Sequence, residues 1–449
     1  MGFTQLIKIF NPFQNFNYLR YSVGIAIMFN GFPLVFFIRD TLHIGPASNV
    51  FSAFFFAFAL LLMLPTHLFL RIYKPNSTLL KYAIGFIALI MYHFFAFNTS
   101  GTDWFIEFGN IFFTVGFIFL LLHIPNEVKD TLIHVLFVFS LFSNLTLVYS
   151  LMTDPNWKIG MRAAVTFENE NAQAGGNPHI AARNALICLL TSILLFSYYK
   201  NILIRLGLFS TILFSLGVVV LAQVKSSMLA IGLMIGFFLL FNSSLTSVVR
   251  FIKNLITIRS LIVILVMYFG INFLMNRYSE LYGLVYGYWH NGVDRILDVL
   301  FTAFGVKFSD TANIDASAMG RVSSFNYFSL TLKSPEILLF GRGYKSLFMD
   351  VPLLESLINH GIFGLIFFGG FNYYLFKSTI KELKEKSNIL TQFLAYFFIY
   401  FIVLLVSNGR PYDVSFWFPY AVMIRFLGVK YLNNFQSSQR NDELQLTYP

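Results

Sequence analysis

Residues 388–406 read NILTQFLAYFFIYFIVLLV, 19 positions without a charge. A helix of this length spans ~30 Å of hydrocarbon. Similar blocks recur along the 449-residue chain, which is 57% apolar and 12% charged, with a mean hydropathy of +0.69. A soluble domain has roughly a quarter of its residues charged. Helices satisfy their own backbone groups in lipid, and a spanning β-barrel would show short alternating segments instead. The pattern predicts an all-α polytopic membrane protein, a single integral membrane domain over 1–449. Spans are expected near 21–38, 51–70, 80–98, 105–124, 131–152, 180–198, 204–222, 226–241, 257–276, 351–376, 388–406 and 413–430.

About 12 spans place both termini on one side. Loops of one parity hold Arg71, Lys74 and Lys81; Lys129; Lys200 and Arg205; Arg250, Lys253 and Arg259; and Lys377, Lys381, Lys384 and Lys386. The short loops of the other parity hold little beyond Arg39, Lys225 and Arg410. Positive charge collects inside, so both ends are expected in the cytoplasm and two long loops, 153–179 and 277–350, outside. Trp104, Trp157, Trp289 and Trp417 then all fall at the outer interface, as an aromatic belt requires. The polar tail 431–449 reads as a disordered cytoplasmic segment.

Several function classes fall away. The net charge of +10 is dispersed over many loops rather than gathered in one soluble patch, which argues against nucleic acid. Such charge beside a bilayer sets topology or meets lipid head groups. Cys188 is the only cysteine, so no internal disulfide forms. The N-terminal stretch lacks the pattern of a cleaved signal peptide. No His-x-x-His, Asp-x-Asp or Cys pair gives metal-ligand spacing, and GRGYKS lacks the spacing of a Walker loop. Neither a metal nor a nucleotide cofactor is expected.

What remains is cationic and outward. Arg162 lies in KIGMRAAVTFENENAQAGGNPH, Arg183 in HIAARNALICLL, and Lys225 between two spans. Arg295, Arg321 and Arg342 lie in the second long loop, and Arg410 in SNGRPYD. A guanidinium presents a planar fork of donors that matches phosphate oxygens. Converging arginines would form an anion clamp, whereas singly each reads as a snorkelling interface residue. Arg183 stands inside an apolar run, facing either a water-filled cavity or the interface. Asp350, in FMDVPLLESLINHG, reads as a general base or as a helix N-cap ahead of Pro352. Glu355 follows on a different helical face. Glu168 and His179 are alternative bases, and His360 reads as a packing histidine.

In order, these features are a long outer loop with Arg162, an NPHIA turn entering a span, VKSSMLAIGLMIG, GRVSSF, LLFGRGYKS and LLESLINHGIFGLIFF. Over roughly 155–370 the order resembles the O-antigen polymerase and ligase family of bacterial surface-polysaccharide assembly. The resemblance implies metal-independent glycosyl transfer at the periplasmic face of the inner membrane. The implied donor is an undecaprenyl-diphosphate-linked oligosaccharide, with membrane lipids and a chain-length regulator as further partners. Arg162, Arg321 and Arg342 match the family's outer-loop arginines, and Lys225 stands where the pattern often has Arg. Ligases place a His eleven residues before the glycine that here is Gly361. Asp350 occupies that position, which favours polymerase over ligase. Stabilising charge on the departing diphosphate lets arginines take a metal's place, while a base at Asp350 activates the acceptor hydroxyl. The remaining alternatives are a transporter of lipid-linked sugars, against which the missing repeat symmetry stands, and a scaffold protein.

Overall fold

The computed structural model describes residues 15–46, 48–65, 68, 71–97, 103–155, 157–158, 161–163, 177–242, isolated positions between 265 and 283, and 316–429. Among these residues helix dominates and no strand occurs. The helices are α1 (Phe16–Asn30), α2 (Phe32–Phe36, running into a π turn at Phe37–Thr41), α3 (Asn49–Met63), α4 (Ser77–Ala96), α5 (Trp104–Leu121), α6 (Val128–Thr153), α7 (Pro178–Tyr198), α8 (Ile202–Ala222) and α9 (Lys225–Asn242). After these come α10 (Ala316–Thr331), α11 (Pro335–Phe340), α12 (Pro352–Gly364), α13 (Gly370–Glu385), α14 (Ile389–Ser407) and α15 (Val414–Phe426).

The local signals that start these helices are short polar side chains. Asn15, Asn76, Asp103, Asn177, Asn201 and Asn388 each accept a first-turn backbone N–H of the helix that follows. Each satisfies a donor that the helix cannot pair internally.

Among the described residues seven candidate spans pass on length and apolarity: α4, α5, α6, α7, α8, the run Pro352–Glu385 that holds α12 and α13 and is broken at Gly361, and α14. The pair α1 and α2 makes an eighth if counted as one span, bent by 80°. α3, α9 and α15 are apolar but shorter. The expected span 257–276, except for isolated positions, and the tail 431–449 lie outside the described residues, as do Glu168, Trp289 and Arg295. The second long loop is partly helical, because α10 and α11 fall inside it.

The span expected near 21–38 is bent, and the bend falls at Gly31 and Pro33. Proline has no N–H to give the carbonyl four residues back, here that of Phe29. Arg183 of α7 takes its place, donating from Nη2 to the Phe29 carbonyl at 2.8 Å. α15 carries the same defect at Pro419, which leaves the Ser415 carbonyl without a helical donor. Arg183 Nη1 donates to that carbonyl too, also at 2.8 Å. One buried guanidinium therefore repairs two proline breaks, and the Phe397 and Phe401 rings lie against it, 5.9 Å to each centroid. Next to it, Asn184 accepts from Asn30 at 2.6 Å and donates to Asn144 at 2.7 Å, tying α1, α6 and α7 together.

The core between α4, α13, α14 and α15 is aromatic. Trp417 is 2% exposed, stacks on Phe86 at 5.7 Å, and donates its indole N–H to the Pro411 carbonyl at 2.8 Å. It is a core residue, which corrects its place in an interfacial belt; Trp104 is 48% exposed. At one end of the bundle, Arg425 is buried and donates to the carbonyls of Leu121 and Ile124 and to Asn126 Oδ1, at 3.0, 2.8 and 2.6 Å. It closes the C-terminal turn of α5 onto α15.

Candidate active site

The other end of the bundle gathers the C-termini of α4, α8 and α14 with the N-termini of α5, α7, α9, α12 and α15. Three glycines make the assembly possible. α12 breaks at Gly361, whose φ of 67° and ψ of −163° suit only glycine. The break frees the carbonyls of Ile358 and Asn359, which accept from the backbone N–H of Arg342 at 2.9 Å and Gly343 at 3.0 Å. Gly341 and Gly343 also have positive φ, 78° and 108°. A Cβ on Gly341 would overlap the Asn359 carbonyl, and one on Gly343 the Phe97 carbonyl. The FGRGYKS and INHGIFG stretches are thus two halves of one backbone contact.

Around this contact lie two sets of carboxylate, phenol and cation. Glu355 is 0% exposed and accepts from Arg410 Nε at 2.6 Å, from the Tyr412 hydroxyl, and from the Met349 N–H at 3.1 Å. Glu107 accepts from the Tyr344 hydroxyl at 2.6 Å and from Lys345 Nζ. The tyrosine rings sit 5.2 Å apart, and the Lys345 ammonium lies over both, at 5.7 and 5.3 Å. Burial, then the charge of Glu107, pushes the Tyr344 phenol well up. Burial, then Glu355, does the same to Tyr412. Burial also raises the carboxyl of Asp413, whose Oδ2 accepts the Arg410 N–H at 3.2 Å.

The expected site residues that are described fall in different surroundings. Arg183 is held in the core by carbonyls, which corrects its assignment to substrate. Arg410 is ion-paired with Glu355, and its guanidinium lies 5.3 Å from the Phe348 ring and 5.0 Å from the Tyr412 ring. Three carboxyls, Glu107, Glu355 and Asp413, surround two cations, Lys345 and Arg410, so this buried set is no anion clamp. Arg162 is exposed, at a segment joined to α8 by the Ala163 N–H donating to the Leu221 carbonyl at 2.8 Å. It acts electrostatically on His179, whose Nδ1 is 3.4 Å from Asn408 Nδ2. Asn408 is two residues from Arg410, so Arg162, His179 and Arg410 lie on one connected rim. Lys225 is half-buried at the start of α9.

Asp350 is not the cap of α12; Val351 occupies that position. Its backbone N–H donates to Ser324 Oγ at 3.2 Å, and its carboxylate sits against Gly320, where a Cβ would collide with it. Arg321, the next residue, is on α10; Arg342 is exposed, with its guanidinium 5.1 Å from the centroid of Tyr327 on the same helix. α10 is thus the meeting place of the GRVSSF, GRGYKS and MDVP stretches. The cavity at Pro33, Ser143 and Asn184 and that at Lys381, Glu382 and Gly428 contain none of these residues. Among the described residues no three His, Cys, Asp or Glu side chains are grouped as a metal site would need.

Sequence reading missed Glu107, Tyr344, Lys345, Asn359 and Tyr412, and passed over Glu355 as lying on another face. The available signal was polar residues beside paired glycines at the mouths of apolar blocks. Compared with known proteins, the chain matches no family model and no curated sequence.

Proposed function

We propose that this protein polymerises undecaprenyl-diphosphate-linked oligosaccharide repeat units by metal-independent glycosyl transfer at the periplasmic face of the bacterial inner membrane. The observation that carries the reading is the seat of Asp350 on α10. It sets a carboxylate beside the helix that bears Arg321 and meets Arg342, at the bundle end that also presents Arg162 and His179. GRVSSF lies on this helix, and Arg342 of GRGYKS and Asp350 both touch it.

In this reading Arg162, Arg321 and Arg342 hold the diphosphate, with Lys225 as a further contact. Charge builds on the phosphate oxygen as the glycosidic C–O bond breaks, and guanidinium donors stabilise that charge. Asp350 accepts the proton of the acceptor hydroxyl as its oxygen bonds to the anomeric carbon, and a single displacement inverts that centre. Arg410 and Glu355 belong to the framework beneath.

Reconstitution in vesicles with a lipid-diphosphate oligosaccharide tests this. Chain growth is expected to persist in a chelator and to fall about 100-fold in Arg162→Ala and Arg321→Ala, the cost of one oxyanion donor. Growth abolished by the chelator contradicts the mechanism. Transfer of a single glycan to a lipid A-core acceptor, without chain growth, would make the protein a ligase.

A further inference from the structure

We propose that Glu355 and Asn359 are positioning residues that clamp the segment 346–349 and so seat the Asp350 carboxylate on α10. The two lie four residues apart on α12, hence on one face, and both are 0% exposed. Asn359 uses its whole amide. Its Oδ1 accepts from Ser346 Oγ at 2.8 Å and the Leu347 N–H at 3.1 Å; its Nδ2 donates to the Leu347 carbonyl at 2.9 Å and the Tyr412 hydroxyl at 3.0 Å. Glu355 continues the grip at the Met349 N–H. Arg410 braces it from the other side, donating to Glu355 and, at 3.3 Å, to the Leu347 carbonyl.

The chain has no slack between this grip and Asp350, the next residue. Asp350 meets Ser324 and Gly320 of α10 directly. A helix deep in the bundle thus fixes a carboxylate at its rim. Glu355 is fully occupied by Arg410, Tyr412 and Met349, so its charge serves geometry rather than proton transfer. Ser356 and His360 of α12 are buried polar residues too, but Glu355 and Asn359 are the ones whose side chains bond the backbone of 346–349. The catalytic part of the inference rests on Asp350 being the base.

Cys188 is buried, so cysteine cross-linking reports this contact cleanly. Gly320→Cys with Asp350→Cys is expected to form a disulfide readily in the otherwise unaltered chain. Adding Asn359→Leu or Glu355→Gln is expected to slow it about tenfold, the population shift that follows loss of one buried hydrogen bond. With Asp350 intact, the same two variants are expected to lower kcat about 100-fold while donor KM holds, the signature of a displaced reacting group. Where Asn359→Leu yields no folded protein, the isosteric Glu355→Gln gives both readings. Unchanged cross-linking, or slowed cross-linking with undiminished turnover, overturns the proposal. Cross-linking of the double-cysteine chain that these variants slow, together with no polymer from the chain that keeps Asp350, sinks the proposed reaction and leaves the clamp standing.

Discussion

Arg183 and Arg410 are both drawn into this bundle, and they are neutralised in different ways. Arg183, 8% exposed, donates to two carbonyls that Pro33 and Pro419 leave without helical donors. Arg410, whose side chain is 20% exposed, meets a fully buried carboxylate. Deep in the bundle a guanidinium completes broken helices and makes no demand for a counter-charge. At the rim the pairing is ionic and binds a loop to a helix. An arginine inside an apolar block therefore has at least two meanings, and the prolines nearby distinguish them.

The largest expected effect breaks the deep half of the comparison. Arg183→Met orphans two carbonyls and is expected to cost about 2–6 kcal/mol of stability, read as thermal unfolding in detergent. Restoring N–H donors with Pro33→Ala and Pro419→Ala in that background is expected to recover part of the loss. Absence of any recovery would mean the prolines do not explain the arginine. At the rim, Gly361→Ala forces an alanine into a glycine-only conformation against the Leu339 carbonyl. It is expected to cost about 1–3 kcal/mol and to loosen the 341–345 loop, seen as faster amide exchange at Gly343.

The smallest effect sharpens the rim's electrostatics. Burial raises the folded-state pKa of Asp413 above its ordinary 3.8. Such a group contributes stability fully below its unfolded value, and the contribution is lost as pH rises through the folded one. Asp413→Asn, which keeps an acceptor for the Arg410 N–H, is expected to raise the unfolding temperature at neutral pH. The gain should shrink to nothing as the pH falls below 3.8. A gain that persists in acid would assign the effect to packing instead.

Much of the scaffold was legible because its signals are local. Uncharged blocks mark helices, asparagines mark where they start, and Gln223 with Lys225 marks the join of α8 and α9. The site was legible in part. Arg321 stood out as an isolated charge beside glycine and Asp350 as an acid at the mouth of an apolar block, and the structure brings their stretches together at α10. Glu355 did not stand out, since the partner that explains it, Arg410, is 55 residues away. Trp417 misled because a tryptophan near a span end suits either an interface or an aromatic core.

The sequence by itself determined that the chain is a set of apolar helices with arginines in and between them, because hydrophobicity, capping and charge placement act within a few residues. Only the tertiary structure decided which arginines remain at the surface. Arg183 is claimed by two carbonyls and Arg410 by a carboxylate from distant helices, Arg162 and Arg342 stay exposed, and no local pattern records which neighbour a long side chain will find.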